Sequence, residues 1–467
     1  MKHFILIAVA LCSIYLGSCS KDSFITGSEA EINISEDSLY FDTLFTSAGS
    51  VTQAFKIYND NNRKLRISNI ALAGGLASYF RINADGHAGP QVTGIEMEAN
   101  DSLYVFVTVS IDPTTTDIPF LIEDSILIQF NGNNRWVKLS AWGQNAVYLN
   151  SVILNTNTTW TNQKPYVILG GLAVNTNATL TIEKGTRVYL HADAPMLIEG
   201  TLIAEGEKYD STKIIFQGDR LDDGYNEYPG GWPGIYFGYA SRDNVFKHVI
   251  VKNAYQGIVA ENPSVNNNPK ITLQETVIDN CYDAGIIGAG TNIDAVNCVI
   301  SNCGKNVVLI RGGTYNFTHC TNVAISNNFI QHRQPVLAIA DYIKDGDNVI
   351  TANTTANFTN CIFWGDNGIV ENEVVALREG ENLFDVNFVN CLWKNVTDPA
   401  NVTATAMISN QDPLFTIVDN QDRIYDFRLL EGSPALNAGT NAGVDIDIEE
   451  NTRNTGNPDI GAYESTF

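Results

Sequence analysis

A short rung recurs in this chain with its residue types changed and its alternation kept. Val249-x-Val251-x-Asn253 returns as Thr276-x-Ile278-x-Asn280, as Cys298-x-Ile300-x-Asn302 and as Cys391-x-Trp393-x-Asn395, the first three copies lying 27 and 22 residues apart. Alternation with a period of two inside each copy predicts a strand with one buried face. The closing Asn predicts a turn, because its short amide tolerates the left-handed region and bonds nearby backbone. Short strands that return once per coil describe a solenoid, in which each coil buries its apolar face only against its neighbours. That constraint fixes an architecture and leaves the chemistry open.

The acid–base balance narrows the partners. The chain of 467 residues carries 52 Asp and Glu against 28 Lys and Arg, a net charge of -24. Such a surface excludes nucleic acid, whose binding rests on cationic contacts to phosphate. It disfavours electrostatic landing on anionic lipid and is compatible with neutral or cationic ligands, Ca²⁺ included. No sequence feature demands a cofactor, and none sets the oligomeric state.

The first residues have the layout of an export signal. Lys2 and His3 precede an apolar run from Phe4 to Leu16, too short to span a bilayer. Leu16-Gly17-Ser18-Cys19 then resembles a bacterial lipobox. That resemblance implies cleavage after residue 18 and lipid on Cys19, so that the membrane becomes a partner through the anchor. The later cysteines repeat at coil spacing, Cys281 to Cys303 and Cys298 to Cys320 both at 22 residues. They lack the CxxC pairs of a zinc site and read as inward-facing thiols stacked in columns.

Residues 19–31 are small and polar and read as a lipidated tether. Residues 32–147 alternate in short runs, among them Leu65 to Leu72, Ser102 to Ile111 and Arg135 to Trp142, separated by clusters such as Asn131-Gly132-Asn133-Asn134. These predict a β-sandwich. Asp101-Ser102-Leu103-Tyr104-Val105-Phe106-Val107 and Ile111-Asp112-Pro113 resemble an immunoglobulin-like module that precedes β-helices in lipoproteins of Bacteroidota. From about residue 148 to 430, Leu180-Thr181-Ile182-Glu183-Lys184-Gly185-Thr186 and Gly231-Trp232-Pro233-Gly234-Ile235-Tyr236-Phe237 resemble the coils of a right-handed parallel β-helix of the pectin-lyase-like type. Residues 431–467, with Ser433-Pro434-Ala435-Leu436-Asn437-Ala438-Gly439 and Pro458-Asp459-Ile460-Gly461-Ala462-Tyr463-Glu464, resemble the closing segment of such proteins. They read as a C-terminal cap over the open solenoid end, with Asp445, Asp447, Arg453, Asp459 and Glu464 forming an ion-pair network.

Few residues carry a chemical signature. Asp279 and Asp283 flank the Asn280 turn, on the side where the resemblance implies polysaccharide binding. They are the carboxylate candidates for glycosidic chemistry, which needs two such groups. Lys252 and Arg311 are the basic candidates for a lyase, which abstracts a proton and neutralises a carboxylate. Tyr225, Tyr228, Trp232, Tyr236 and Tyr239 cluster in one excursion and form a candidate glycan-stacking surface, with Trp232 alternatively a core residue. His319 lies within a strand and reads as a hydrogen-bonded side chain. Residues 322–357, centred on His332-Arg333-Gln334-Pro335, form a second excursion suited to function. Asp-Ser triplets such as Asp101-Ser102-Leu103 resemble O-glycosylation acceptors of Bacteroidota.

The expectation is therefore an all-β outer-membrane lipoprotein exposed at the cell surface. A sandwich carries a capped right-handed parallel β-helix that binds polysaccharide or a surface protein without catalysis. The alternatives are a polysaccharide lyase or glycoside hydrolase on the same fold, or a structural envelope protein.

Overall fold

The computed structural model describes residues 23–45, 52–111, 120–222 and 224–466. The export signal and Cys19 lie outside the described residues. The chain divides into two compact units between Asn145 and Ala146.

In the first unit, two sheets share one apolar core. One sheet runs in the order Asn33–Ile34, Gln53–Tyr58, Ser102–Val109, Phe80–Ala84, His87–Ala88. The other runs Ser38–Phe45, Asn133–Gln144, Phe120–Phe130, Leu65–Leu72, Gln91–Met97, with its first pair parallel. Alternate residues such as Phe55, Ile67, Val105, Ile126 and Val137 point inward and are fully buried. Asn131 and Gly132 (φ 44° and 81°) make the tight turn between two long strands, as a hairpin with two positive-φ residues requires. Half of the expected tether belongs to this unit. Asn131 Nδ2 donates to the carbonyls of Ile25 and Gly27, Asn133 Nδ2 to those of Ser28 and Ala30, and Ala30 is buried.

The second unit is a right-handed parallel β-helix. Among the described residues, 26 strands from Val147–Leu154 to Ile408–Ser409 form one continuous ladder. Each full coil has three faces. In one coil these are Ile271–Gln274, then Val277–Asp279, then the first half of Ala284–Val296, which bends at Gly290 into the first face of the next coil. The ladder ends about twenty residues before the expected boundary at 430.

Two corners explain the recurring rung. The corner from second to third face holds Asn253, Asn280 and Asn302 at φ 61°, 54° and 50°. The corner from first to second face uses the same left-handed step on mixed residue types: His248, Glu275, Asn297, His319, Asn360, Asn390 and Ala406. The next residue turns inward, so Val249, Thr276, Cys298, Cys320, Cys361 and Cys391 form one buried column. The six described cysteines are free and buried, and burial pushes the thiols of Cys298, Cys303 and Cys361 up, which keeps them protonated and inert. Asn395 departs from the expectation of a left-handed turn. The third face lacks a strand at this level, and Asn395 supplies a substitute, its amide accepting from Val374 N (3.0 Å) and donating to Val374 O (3.0 Å).

The C-terminal cap lies along the flank of the solenoid instead of across its end. A hairpin of Phe415–Asp419 and Ile424–Leu429 and the chain after it cover the outer side of the second face. That side carries outward apolar residues, and Val299, Val323, Ile362 and Leu392 are buried against Phe427, Leu429, Ala435, Ile448, Ile460 and Ala462. The segment is tied to the first corner: Asn390 Nδ2 donates to Ala438 O (2.9 Å), Asn360 exchanges bonds with Thr440 (2.7 and 2.9 Å), and Asn297 Nδ2 donates to Ile446 O (2.9 Å). His248 Nε2 lies 3.1 Å from Glu450 Oε1. Of the expected acidic network, Arg453 pairs with Glu464, while Asp447 and Asp459 accept backbone N–H groups. Asp445 is exposed and contributes only its carbonyl, to Arg453 N.

Candidate functional site

The second corner gathers half of the candidate catalytic residues. Lys252 and Asp279 are register partners on adjacent coils, so strand pairing places both on one outward column. They line a cavity of about 100 Å³ with Asn253, Asn280, Asn302, Glu227, Arg423 and Tyr425. Burial pushes the Asp279 carboxyl up, against donation from Ser301 Oγ (2.6 Å) and Asn302 Nδ2 (3.5 Å) and the nearby Lys252 charge. Burial pulls Lys252 down, and Asp279 partly restores it. Arg423 borders the cavity from the C-terminal hairpin, ion-paired with Glu227 and lying 4.3 Å over the Phe329 ring. The cavity is narrow and open to solvent on one side, and Lys252 and Asp279 both keep partial exposure there.

The other two candidates are engaged elsewhere. Asp283 accepts from Lys305 Nζ (2.8 Å) and Gln256 Nε2 (2.7 Å); burial opposes ionisation, and these partners prevail and hold the carboxyl below the usual range. Arg311, at φ 58°, braces the third corner by donating to Asn262 Oδ1 (3.1 Å) and Ala289 O (2.9 Å). The four residues therefore do not converge on one reacting centre. Among the described residues, no group of three or more His, Cys, Asp or Glu side chains is placed to hold a metal ion. No helix among them is long and apolar enough to cross a membrane. The Asp-Ser triplets spend their carboxylates locally, on Ser38 Oγ (2.9 Å), Ser102 N (2.8 Å) and Ser125 N (2.7 Å).

The aromatic cluster separates into three parts. Trp232 is a core residue, 1% exposed, its indole donating to Lys252 O (3.0 Å). Tyr236 is half-buried on the third face, its hydroxyl donating to Pro233 O or Gln256 Oε1, and Tyr239 is exposed at a different corner, its carbonyl accepting from Lys270. Tyr225 and Tyr228 stay together, with ring centroids 5.0 Å apart, and are joined by residues that sequence reasoning missed. Phe329, from the second excursion, packs edge-on against Tyr228 at 4.7 Å. Tyr255 and Tyr282 stack at 5.7 Å with ring planes 25° apart, and a Cβ added at Gly230 would meet that of Tyr282 at 3.4 Å. All four tyrosines are well exposed. Tyr255 and Tyr282 do have a sequence signal, a tyrosine two positions after the corner Asn, in Asn253-Ala254-Tyr255 and again in Asn280-Cys281-Tyr282. The polar rim beside this platform includes Asn327, Asn328, Gln331 and Arg333, which line a neighbouring cleft.

No protein-family model matches the chain, and no curated protein matches it. Among solved structures, a family 123 glycoside hydrolase from Clostridium perfringens is similar over 26% of this chain and 26% of its own, at 9% identity and a TM-score of 0.20. The PapD-like domain 7 of human CEP192 is similar over 25% of this chain and 85% of its own, at 11% identity and a TM-score of 0.17. The periplasmic chaperone SfaE is similar over 25% and 58%, at 10% identity and a TM-score of 0.17. The chain spans about a quarter of the length of the first of these, and at such scores none of them assigns a fold or an activity.

Proposed function

We propose that the protein is a cell-surface lipoprotein of the Bacteroidota type, lipid-anchored in the outer membrane at Cys19. Its pectin-lyase-like β-helix binds glycan without cleaving it. The observation that carries the binding reading is the exposed Tyr255–Tyr282 stack on consecutive coils, extended by Tyr225, Tyr228 and Phe329. Sugar rings present C–H faces that settle on exposed aromatic rings, and amide-rich edges complete recognition by hydrogen bonding. The non-catalytic reading is supported by the engagement of Asp283 and Arg311 in other contacts, away from the narrow Lys252–Asp279 cavity. A lyase or hydrolase needs its base or acid within reach of the bound chain.

The test is affinity electrophoresis of the full chain, in mild detergent, through gels containing neutral or acidic polysaccharides. At about 1 kcal/mol per ring, Tyr255→Ala with Tyr282→Ala is expected to weaken retention roughly 30-fold, whereas Tyr239→Ala leaves it unchanged. Equal retention of the double variant and the parent would remove the platform from the account.

A further inference from the structure

We propose that the outer side of the third face is the contact surface between two copies of this chain. One outward column runs the length of that face in unbroken register: Ile153, Ala173, Leu197, Tyr236, Val259, Ile287, Val308, Ala338 and Val375. None of the nine is charged, in a chain with 80 charged residues. The upper coils add Ala289, Ile310 and Leu377 beside it on the same side of the sheet. The matching outward column of the first face is polar there, with Asp294, Asn316, Asn357 and Asn387 joined in a side-chain ladder.

The protein itself shows how it treats such a surface. The apolar outer side of the second face is buried by the C-terminal segment, to 2% or less at Val299, Ile362 and Leu392. All nine residues of the third-face column remain at least partly accessible, and Ile153 and Leu197 are 61% and 46% exposed. A contiguous apolar stripe of this length marks an interaction surface.

Its chemistry selects the occupant. The column is aliphatic apart from Tyr236, so it lacks the rings on which sugars stack. Exposed Glu199 and Glu261 flank its lower half, which repels an anionic lipid surface. Nine rungs at ~4.8 Å, about 15 Å wide, offer roughly 600 Å² per copy. Two such faces bury about 1,200 Å², the lower edge of the range for specific interfaces. A flat aliphatic sheet face is complementary to itself and packs ≈10 Å from its mate, as the two layers of a sandwich do. A two-fold pair is the commonest way for one surface to be satisfied by its own copy.

Sedimentation velocity of the full chain in density-matched detergent tests this. The parent is expected to sediment as a dimer at micromolar concentration. Ile287→Arg and, separately, Val259→Arg place an unpaired charge in the middle of the stripe and are expected to raise the dissociation constant roughly 100-fold or more. Asn316→Arg, on the first face, is expected to leave the dimer intact. Unchanged melting temperatures would show that the variants fold. A monomeric parent at ~50 µM (about fiftyfold above micromolar), or arginine variants that stay dimeric, would overturn the proposal.

Discussion

Arg453→Ala is expected to lower stability by about 3–5 kcal/mol and to release the C-terminal segment from the solenoid. Arg453 is 3% exposed and its guanidinium pairs with Glu464 at 3.1 Å, both side chains being almost wholly buried. It also donates to Ile446 O (3.1 Å), Gly461 O (3.0 Å) and Asn297 Oδ1 (2.9 Å). Asn297 is one of the left-handed residues of the first corner, so one side chain joins the segment to itself and to the coil beneath. Truncation leaves Glu464 with the N–H groups of Asn454 and Asp459 but no counter-charge, and takes a donor from Gly461 O and Asn297 Oδ1 in a dry site, while Ile446 O keeps its bond from Asn297 Nδ2. Arg453→Lys is expected to restore little, because an ammonium cannot reproduce the planar fork. Denaturant titration gives the energy, and limited proteolysis under native conditions reports cleavage after about residue 410. A loss below 1 kcal/mol with a protected C-terminus would mean that the apolar contacts alone hold the segment.

His319→Asn is expected to remove much of the protein's sensitivity to acid. His319 is fully buried in the first corner at φ 53°, and its Nε2 accepts from Asn360 Nδ2 at 2.9 Å, which places its proton on Nδ1. Burial, with the Arg453 charge nearby, pulls its pKa from 6.5 down to about 3. Between pH 6.5 and about 3 the unfolded chain therefore binds a proton that the folded protein refuses. Stability falls as pH falls through that window, by ~1.4 kcal/mol per unit and up to about 5 kcal/mol in all. Asn suits the left-handed site and occupies the same column position in the neighbouring coils at Asn297 and Asn360. His248, also pulled down by burial, remains in the variant and preserves part of the acid response. Asp279 and Glu275, pushed up by burial, act in the opposite sense and are common to both proteins, so the difference isolates His319. Parallel slopes of unfolding free energy against pH for parent and variant would contradict the assignment.

The rung was legible because its inward positions obey an alternation that local sequence records. Val249 and Val251, Thr276 and Ile278, Cys298 and Ile300, Cys391 and Trp393 are all buried as the pattern predicts. The first corner was hidden, since His248, Glu275, His319 and Ala406 share a backbone angle and no side-chain chemistry. Strands at Phe80–Ala84 and Gln91–Met97 escaped notice because their alternation is broken by short polar turns. The coil spacing implied that Lys252 and Asp279 lie on adjacent turns. That Arg423 and Tyr425 line the same cavity depends on a hairpin more than 140 residues away, which no local pattern encodes. The same holds for the C-terminal segment, whose sequence marks it as a covering element while its resting place is set by outward valines and isoleucines on the second face. In the aromatic excursion, composition alone did not separate a buried Trp232 from exposed Tyr225 and Tyr228, because all three lie in irregular chain.

The most direct measurement holds the full chain with each of a panel of neutral and uronate-containing polysaccharides, with and without Ca²⁺, and follows gel retention and product formation in the same samples. The account predicts retention that depends on Tyr255 and Tyr282, with no new reducing ends and no unsaturated uronate absorbance at any time. Products that form in the parent and vanish in Lys252→Ala or Asp279→Asn would contradict it and make the corner cavity a catalytic site.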